Sequence, residues 1–318
     1  ITGLGEAAPT SFFGENVKSV TKALTQSMDF FKNADPFQTE DITLQLTNTF
    51  PKDAAARAAI DIALHDLIGK KLKIPLYRLL GLNQQKTKMT SFTIGIDTLE
   101  KMCKKVDEVK DFPILKIKVG IKNDIEILKE LRKITKAVFR VDANTGWTVD
   151  EAIKKINIME ELGVELVEQP FPVGSFEALK KIRRHVKIPV FADEDVKDSK
   201  DIPVLSDAVD GINIKLMKCG GIREALRMIS TARAHGLKIM IGCNIESSVS
   251  ITAAAHLTPL VDYADLDGHL LVTNDPYIGV AVDKGRLTLP AGNGLGVEAR
   301  CNVPQSSLLG GMDKLVCP

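Results

Sequence analysis

The chain has 318 residues, 44% of them hydrophobic and 26% charged, with 42 Lys plus Arg against 41 Asp plus Glu. A net charge of +1 supplies no field to gather nucleic acid or an anionic membrane, and ample hydrophobicity with so little net charge excludes a disordered chain. The length suits roughly two domains; no apolar run approaches the ~20 residues of a membrane helix, and five cysteines without a Cys-x-x-Cys spacing indicate a reducing compartment. A soluble protein is expected, cytoplasmic by default, since any targeting segment would lie before residue 1.

In chain order, Ile1-Thr2-Gly3-Leu4-Gly5-Glu6-Ala7-Ala8-Pro9 reads as the end of a strand running into a turn with no lead-in, so an N-terminal piece is expected to be missing. From about Phe50 to Leu80, Ala54, Ala58, Ile62 and Leu67 follow helical spacing, and the region closes at Leu80-Gly81. Near Lys88 the texture changes to short apolar runs separated by helical stretches. The runs are Met89 to Ile96, Ile114 to Val119, Val138 to Ala143, Val164 to Glu168, Val190 to Asp193, Gly211 to Leu216, Lys238 to Cys243 and Tyr263 to Asp267. Such a series of βα units predicts an α/β fold, a (β/α)8-type barrel over 88–275. Residues 1–87, of mixed α and β character, and 276–318, rich in Gly and Pro, are expected to pack together as an α+β capping domain.

Barrel enzymes place their chemistry at the C-terminal ends of the strands, so ionisable residues that end apolar runs are the candidates. Lys116 and Lys118 end the second run, Asp142 the third, Glu168 the fourth, Asp193 the fifth, Lys215 the sixth, and Asp265 with Asp267 the eighth. Residues two apart share a strand face, so these side chains can all point inward. Asp142, Glu168 and Asp193 are 26 and 25 residues apart, about one βα unit each, which predicts three carboxylates at equal positions on adjacent strands. Without a cation they would repel one another, and as hard oxygen ligands they suit Mg2+. Lys118 and Lys215 should face each other across the mouth. A cation and a second lysine nearby, such as Lys116, would lower a lysine's pKa toward that of a general base. The plainer reading makes the lysines neutralisers of the carboxylates and the acids helix caps or partners of His269.

Together, Lys116-Ile117-Lys118, Asp142-Ala143-Asn144, Glu168-Gln169-Pro170, Asp193-Glu194 and Asn213-Ile214-Lys215 resemble the enolase superfamily, in particular its muconate-lactonizing subgroup. Within it, Ala264-Asp265-Leu266-Asp267 and Ile241-Gly242-Cys243-Asn244-Ile245-Glu246-Ser247 are similar to segments of dipeptide epimerases of the L-Ala-D/L-Glu type. The resemblance implies a modified, enolase-like TIM barrel and an isomerase with Lys118 and Lys215 as catalytic pair. It also implies magnesium held by Asp142, Glu168 and Asp193, and a dipeptide whose α-ammonium group meets Asp265 and Asp267. Thr93, Lys116, Asn144 and Cys243 would complete the substrate pocket. The implied reaction is a 1,1-proton transfer at the α-carbon of the C-terminal residue through an ene-diolate. Family members begin with two further strands whose turn covers the substrate, whereas this sequence matches from their third strand.

Alternatives within the subgroup are a cycloisomerase, an o-succinylbenzoate synthase or an N-acylamino acid racemase. Only the Asp265/Asp267 pair argues against these, because their substrates lack a free ammonium group. A Schiff-base aldolase with a sixth-strand lysine and a lidless, non-catalytic dipeptide-binding barrel are the readings from other classes. No nucleic-acid or membrane partner is expected, and a homo-oligomer is compatible with the sequence. Lys218-Cys219-Gly220-Gly221 is read as a βα turn in preference to a phosphate cradle, Trp147 as a loop anchor, and His65, His185, His235 and His256 as structural.

Overall fold

The computed structural model describes residues 1–32 and 34–300. Its N-terminal part contributes helices α1 (Val17–Phe31), α2 (Thr39–Thr49), α3 (Ala54–Leu72) and the single turn α4 (Leu76–Leu79). Helical spacing between 50 and 80 is thus interrupted once. Pro75 cannot continue α3, and Lys73 ends it in the left-handed region at φ 59°.

The barrel alternates β1 (Phe92–Ile94), α5 (Leu99–Glu108), β2 (Ile114–Lys118), α6 (Asp124–Ile134), β3 (Val138–Asp142), α7 (Val149–Glu161), β4 (Val164–Glu168) and α8 (Phe176–Arg183). It continues with β5 (Val190–Ala192), α9 (Ile202–Leu205), β6 (Gly211–Lys215), α10 (Leu216–Cys219), α11 (Ile222–Ala234), β7 (Lys238–Gly242), α12 (Ser248–Leu257) and β8 (Tyr263–Asp265). All eight strands are parallel neighbours in sequence order, and a Thr90–Ala264 bridge joins the last to the first. The expected eight runs are therefore the eight strands.

Period-two alternation explains why these charged runs form strands at all. On β2, Leu115 and Ile117 are buried under the helices, where Leu128, Leu131 and Ile156 meet them in one apolar cluster, while Lys116 and Lys118 take the opposite face. Inside the barrel, Leu166, Phe191 and Met240 form a separate apolar cluster below the charged ends, with Tyr263 packed against it. The same interior holds buried Arg140, which donates to Glu165 at 2.7 Å and to the Ala264 carbonyl at 2.9 Å.

After the barrel come β9 (Tyr277–Ile278), the antiparallel hairpin β10 (Ala281–Asp283) and β11 (Arg286–Thr288), and β12 (Glu298–Ala299), which pairs with β9. The returning chain docks on the N-terminal helices: the Leu76 N–H donates to Gly294 O at 2.7 Å and the Leu295 N–H to Asp66 Oδ1 at 2.8 Å. Both chain ends thus build the cap. Residues 1–87 were expected to be mixed; their described part contains helices, turns and extended chain, with a single parallel bridge from Pro75 to Gly294. Residues 1–9 belong to no strand and lie along α3. Leu4 N–H donates to Asp66 at 2.7 Å, and Gly3 and Gly5 press against the α3 carbonyls of Ala63 and Ala59. Cys301 and Cys317 lie outside the described residues.

Candidate active site

Strand register assembles the site. Lys118, Asp142 and Glu168 stand side by side at the ends of β2, β3 and β4, and Lys215, Gly242 and Asp265 do the same on β6, β7 and β8. With β2 and β6 four strands apart in a ring of eight, Lys118 and Lys215 enter from opposite sides. Both line a cavity of about 420 Å³ with Thr93, Lys116, Cys243, Asp265 and Asp267, and its outer wall includes Ala8, Pro9 and Thr10. Asn144, by contrast, is exposed and lies outside this lining; its N–H donates to Asp142 Oδ1 at 3.0 Å.

The loops that follow the acidic strands are held in costly conformations. Asn144, Thr145 and Gln169 adopt positive φ of 41°, 65° and 37°, a region non-glycine residues avoid and that clusters at functional sites. Gln169 repays this by accepting from the Asp193 N–H at 2.9 Å and donating to Asp195 at 2.7 Å, which fixes the end of β5. The loops after β2 and β3 meet so closely that a Cβ on Gly120 would sit 2.5 Å from the Ala143 carbonyl. Asp124 joins them by accepting from the Gly120 and Ile121 N–H groups and from Trp147 Nε1 at 2.7 Å, so Trp147 is a loop anchor.

Lysines occupy the centre of the acid cluster. Lys116 Nζ, almost fully buried, lies 3.0 Å from Asp142, 2.8 Å from Glu168 and 2.7 Å from Asp265. Lys118 Nζ is 2.7 Å from Asp142, and Lys215 Nζ 2.6 Å from Asp193. Lys218, reached from the turn after β6, also pairs with Asp193 and donates to its carbonyl at 2.5 Å. Asn213 Nδ2 donates to Glu168 Oε1 at 2.7 Å. At the eighth strand, Asp265 accepts from Ser91 at 2.7 Å, while Asp267 accepts from the Thr93 N–H at 2.6 Å. Neither acid pairs with His269.

Electrostatics follow from these contacts. Burial, then the neighbouring Asp142 charge, pushes Glu168 up to about 7; burial and Asp265 push Asp267 up to about 6. Burial raises Asp142 too, but Lys116 and Lys118 outweigh it and hold this carboxyl down at about 2. The lowered pKa expected of a catalytic lysine presupposes a bound cation; the protein's own groups act on Lys215 and Lys116 in the other direction. Burial disfavours both ammonium groups, yet Asp193 holds Lys215 above the ordinary lysine range, and Asp142, Asp265 and Glu168 do the same for Lys116. The sequence could not show which carboxylate turns to which lysine.

Among the described residues, no three acidic, histidine or cysteine side chains form a ready group for a metal ion. The donor chemistry nonetheless suits one. Asp142, Glu168 and Asp193 are buried oxygen donors at matching strand ends, and Glu168 Oε2 has the Lys116 ammonium 2.8 Å away. Lys218, Asn213 and Ser91, which hold Asp193, Glu168 and Asp265 in place, were missed as site residues. Lys218 had a signal, its position one helical turn after Lys215; Ser91 had none.

The chain and its fold have known counterparts. Residues 98–302 match the family Enolase C-terminal domain-like, and residues 1–81 match the Mandelate racemase / muconate lactonizing enzyme, N-terminal domain. The chain belongs to this family of the enolase superfamily. More particularly, it is 44% identical over 299 residues to the L-Ala-D/L-Glu epimerase of Bacteroides thetaiotaomicron, covering 93% of this chain and 78% of that protein. The crystal structure of a dipeptide epimerase from Enterococcus faecalis V583 complexed with Mg and the dipeptide L-Leu-L-Tyr superimposes with a TM-score of 0.88 at 37% identity, covering 93% and 87% of the two chains. A substrate-liganded complex of the L-Ala-D/L-Glu epimerase from Bacillus subtilis gives 0.89 at 32% identity, with coverage of 93% and 87%.

Proposed function

We propose that this protein is a magnesium-dependent dipeptide epimerase, an isomerase that inverts the α-carbon of a dipeptide's C-terminal residue. The observation that carries the reading is one cavity in which the Asp265/Asp267 pair stands beside two opposed lysines. At about 420 Å³ it falls within the range of small-molecule sites. The acid pair offers a desolvated counter-charge to an α-ammonium group, which the substrates of a cycloisomerase or an N-acylamino acid racemase do not carry.

In this reading Asp142, Glu168 and Asp193 would hold magnesium, which when bound supplies positive charge for the charge that develops on the substrate carboxylate. Lys118 and Lys215 do the proton work. The amine of one takes the α-proton, leaving the C–H electron pair in a planar ene-diolate; the ammonium of the other returns a proton to the opposite face. A base must first be neutral, so Asp193 has to release Lys215, and its second partner, Lys218, keeps that carboxylate in place. Lys116 holds Asp265 on one side and the metal-side acids on the other, while Thr93 and Cys243 line the ammonium end. Asn144 would reach the substrate only by turning inward.

The division into a barrel over 88–275 and a cap from 1–87 and 276–318 belongs to the same proposal, as does a cytoplasmic setting. None of the described helices is long and apolar enough to cross a membrane. The test is proton NMR of a dipeptide panel in D2O with magnesium. Loss of the C-terminal residue's α-proton signal, abolished by EDTA, is the expected result. No exchange from folded, magnesium-supplied protein across the panel would overturn the proposal.

A further inference from the structure

Glu6 stands apart from the acid and lysine cluster, yet it joins two walls of the cavity. Its Oε1 accepts from the Ser247 N–H at 2.7 Å; its Oε2 accepts from the Ser247 hydroxyl at 2.6 Å and the Ser250 N–H at 2.9 Å. Ser247 is the N-cap of α12 and Ser250 lies in its first turn. The free N–H groups and dipole there favour a carboxylate. Ser250 also turns its hydroxyl to Glu246, whose Oε1 accepts from the Asn244 N–H at 2.6 Å. One linked set of contacts therefore spans 241 residues of sequence.

What hangs on each side of this link is substrate-facing. Two to four residues beyond Glu6, Ala8, Pro9 and Thr10 form one wall of the cavity; just before Ser247, Cys243, Asn244 and Ile245 form another. A second tie, from the Ala8 N–H to Met217 Sδ at 3.1 Å, sets the first wall against the turn that follows Lys215. Upstream, Leu4 is fixed to Asp66, and Gly3 and Gly5 are seated on α3. Loss of Glu6 would therefore loosen residues 6–10 from α12 without undocking the segment, which the Leu4 and Ala8 contacts still hold, and none of its contacts touches a lysine or acid of the cluster.

We propose that Glu6 is a positioning residue for the substrate: by clamping the stretch that bears Ala8, Pro9 and Thr10 to the start of α12, it sets the distance between two pocket walls. The role belongs to affinity and leaves proton transfer intact. It rests on the dipeptide epimerase reading.

The test uses Glu6→Ala and Glu6→Gln, the latter placing an amide where both oxygens now accept. Steady-state epimerisation of the best dipeptide is expected to show KM raised roughly 10-fold or more, the scale of lost charge-assisted hydrogen bonds, with kcat within about threefold. Hydrogen exchange by mass spectrometry should rise in segments 6–12 and 243–250 and stay unchanged over the strands of the barrel. A kcat that falls with KM unchanged, or unaltered KM in both variants, would overturn the proposal. If the unaltered enzyme turns over no dipeptide, the reading beneath it fails. Unchanged exchange at 243–250 in both variants would then overturn the clamp as well, whereas a rise confined to the two segments would support it.

Discussion

Asp267 offers the cleanest probe of substrate recognition. It is buried, lines the cavity and accepts from the Thr93 N–H at 2.6 Å. Asp267→Asn keeps an oxygen for that N–H and removes only the charge. Asp265 cannot compensate, because Lys116 and Ser91 already engage it. A unit charge at roughly 4 Å from an ammonium group is worth about 4 kcal/mol at an effective dielectric constant of about 20. Losses of 2–5 kcal/mol are usual when one partner of a buried charge pair is truncated. Taking about 2–4 kcal/mol, kcat/KM for a dipeptide falls roughly 30- to 1,000-fold. The assay compares a dipeptide with its N-acetyl analogue. Unaltered enzyme prefers the free amine by that factor, and in the variant the ratio approaches one. The pH dependence follows from the Asp267 carboxyl, which burial and Asp265 raise to about 6. Below that value it becomes neutral, so the preference fades from pH 7 to 5 in the unaltered enzyme and is flat in the variant. A variant that keeps the full preference for the free amine refutes the assignment of this acid to the ammonium group.

Lys118→Ala and Lys215→Ala should each slow epimerisation by about 10²–10⁴. They should fail in mirror image, one losing α-deuterium exchange of the L-epimer and the other of the D-epimer; NMR with each pure epimer checks this, and loss of the same epimer in both would refute opposed bases. Neither change orphans a carboxylate, since Asp142 keeps Lys116 and Asp193 keeps Lys218. EDTA should abolish activity and magnesium restore it, and magnesium at 100 times its dissociation constant should raise the unfolding free energy by about 2.7 kcal/mol in urea titrations. His256 is buried against Tyr77 with a ring nitrogen 3.1 Å from Leu295 O, and burial lowers its pKa from 6.5 to about 4. The folded state thus favours the neutral ring, a contribution fully present above about 6.5 and lost as pH falls toward 4, amounting to about 3 kcal/mol. Urea unfolding at pH 7 and 4.5 should show it, and His256→Gln should remove it.

The barrel was legible because alternation and spacing are local properties. Lys116 and Lys118 share a face of any strand containing both, and acids 26 and 25 residues apart fall at the ends of successive βα units. The cap was less legible for the opposite reason. Residues 1–9 have the composition of a strand end, but what holds them is α3, through the Leu4 contact to Asp66, 62 residues away, which no local pattern reveals. Within the site, the identities of the lysines and acids were readable while their pairing was not. Lys116 meets Asp265 across 149 residues, and that pairing decides that its ammonium form is held and not weakened. Lys218 was overlooked because its contact to Asp193 exists only once β5 and β6 lie side by side, and Glu6 because its contact to Ser247 exists only after the cap and barrel have folded together.

The charge pattern of the assembled site points to both ends of one substrate. Lys116, Lys118, Lys215 and Lys218 face Asp142, Glu168, Asp193, Glu194, Asp265 and Asp267, so negative groups outnumber positive ones. The strain of that excess is not spread evenly. Asp142, Asp193 and Asp265 are held ionised by lysines, whereas burial and neighbouring carboxylates raise Glu168 and Glu194 on one side of the cavity and Asp267 on the other. Each raised group marks a place where added positive charge stabilises the folded protein most. On the first side the donors suit a divalent cation that would anchor a carboxylate; on the second they suit an ammonium group. In the proposed function, a ligand that satisfies both sides carries a carboxylate at one end and an ammonium group at the other, as a dipeptide does. The uneven compensation of charge is what the two opposite charges of the proposed substrate would relieve.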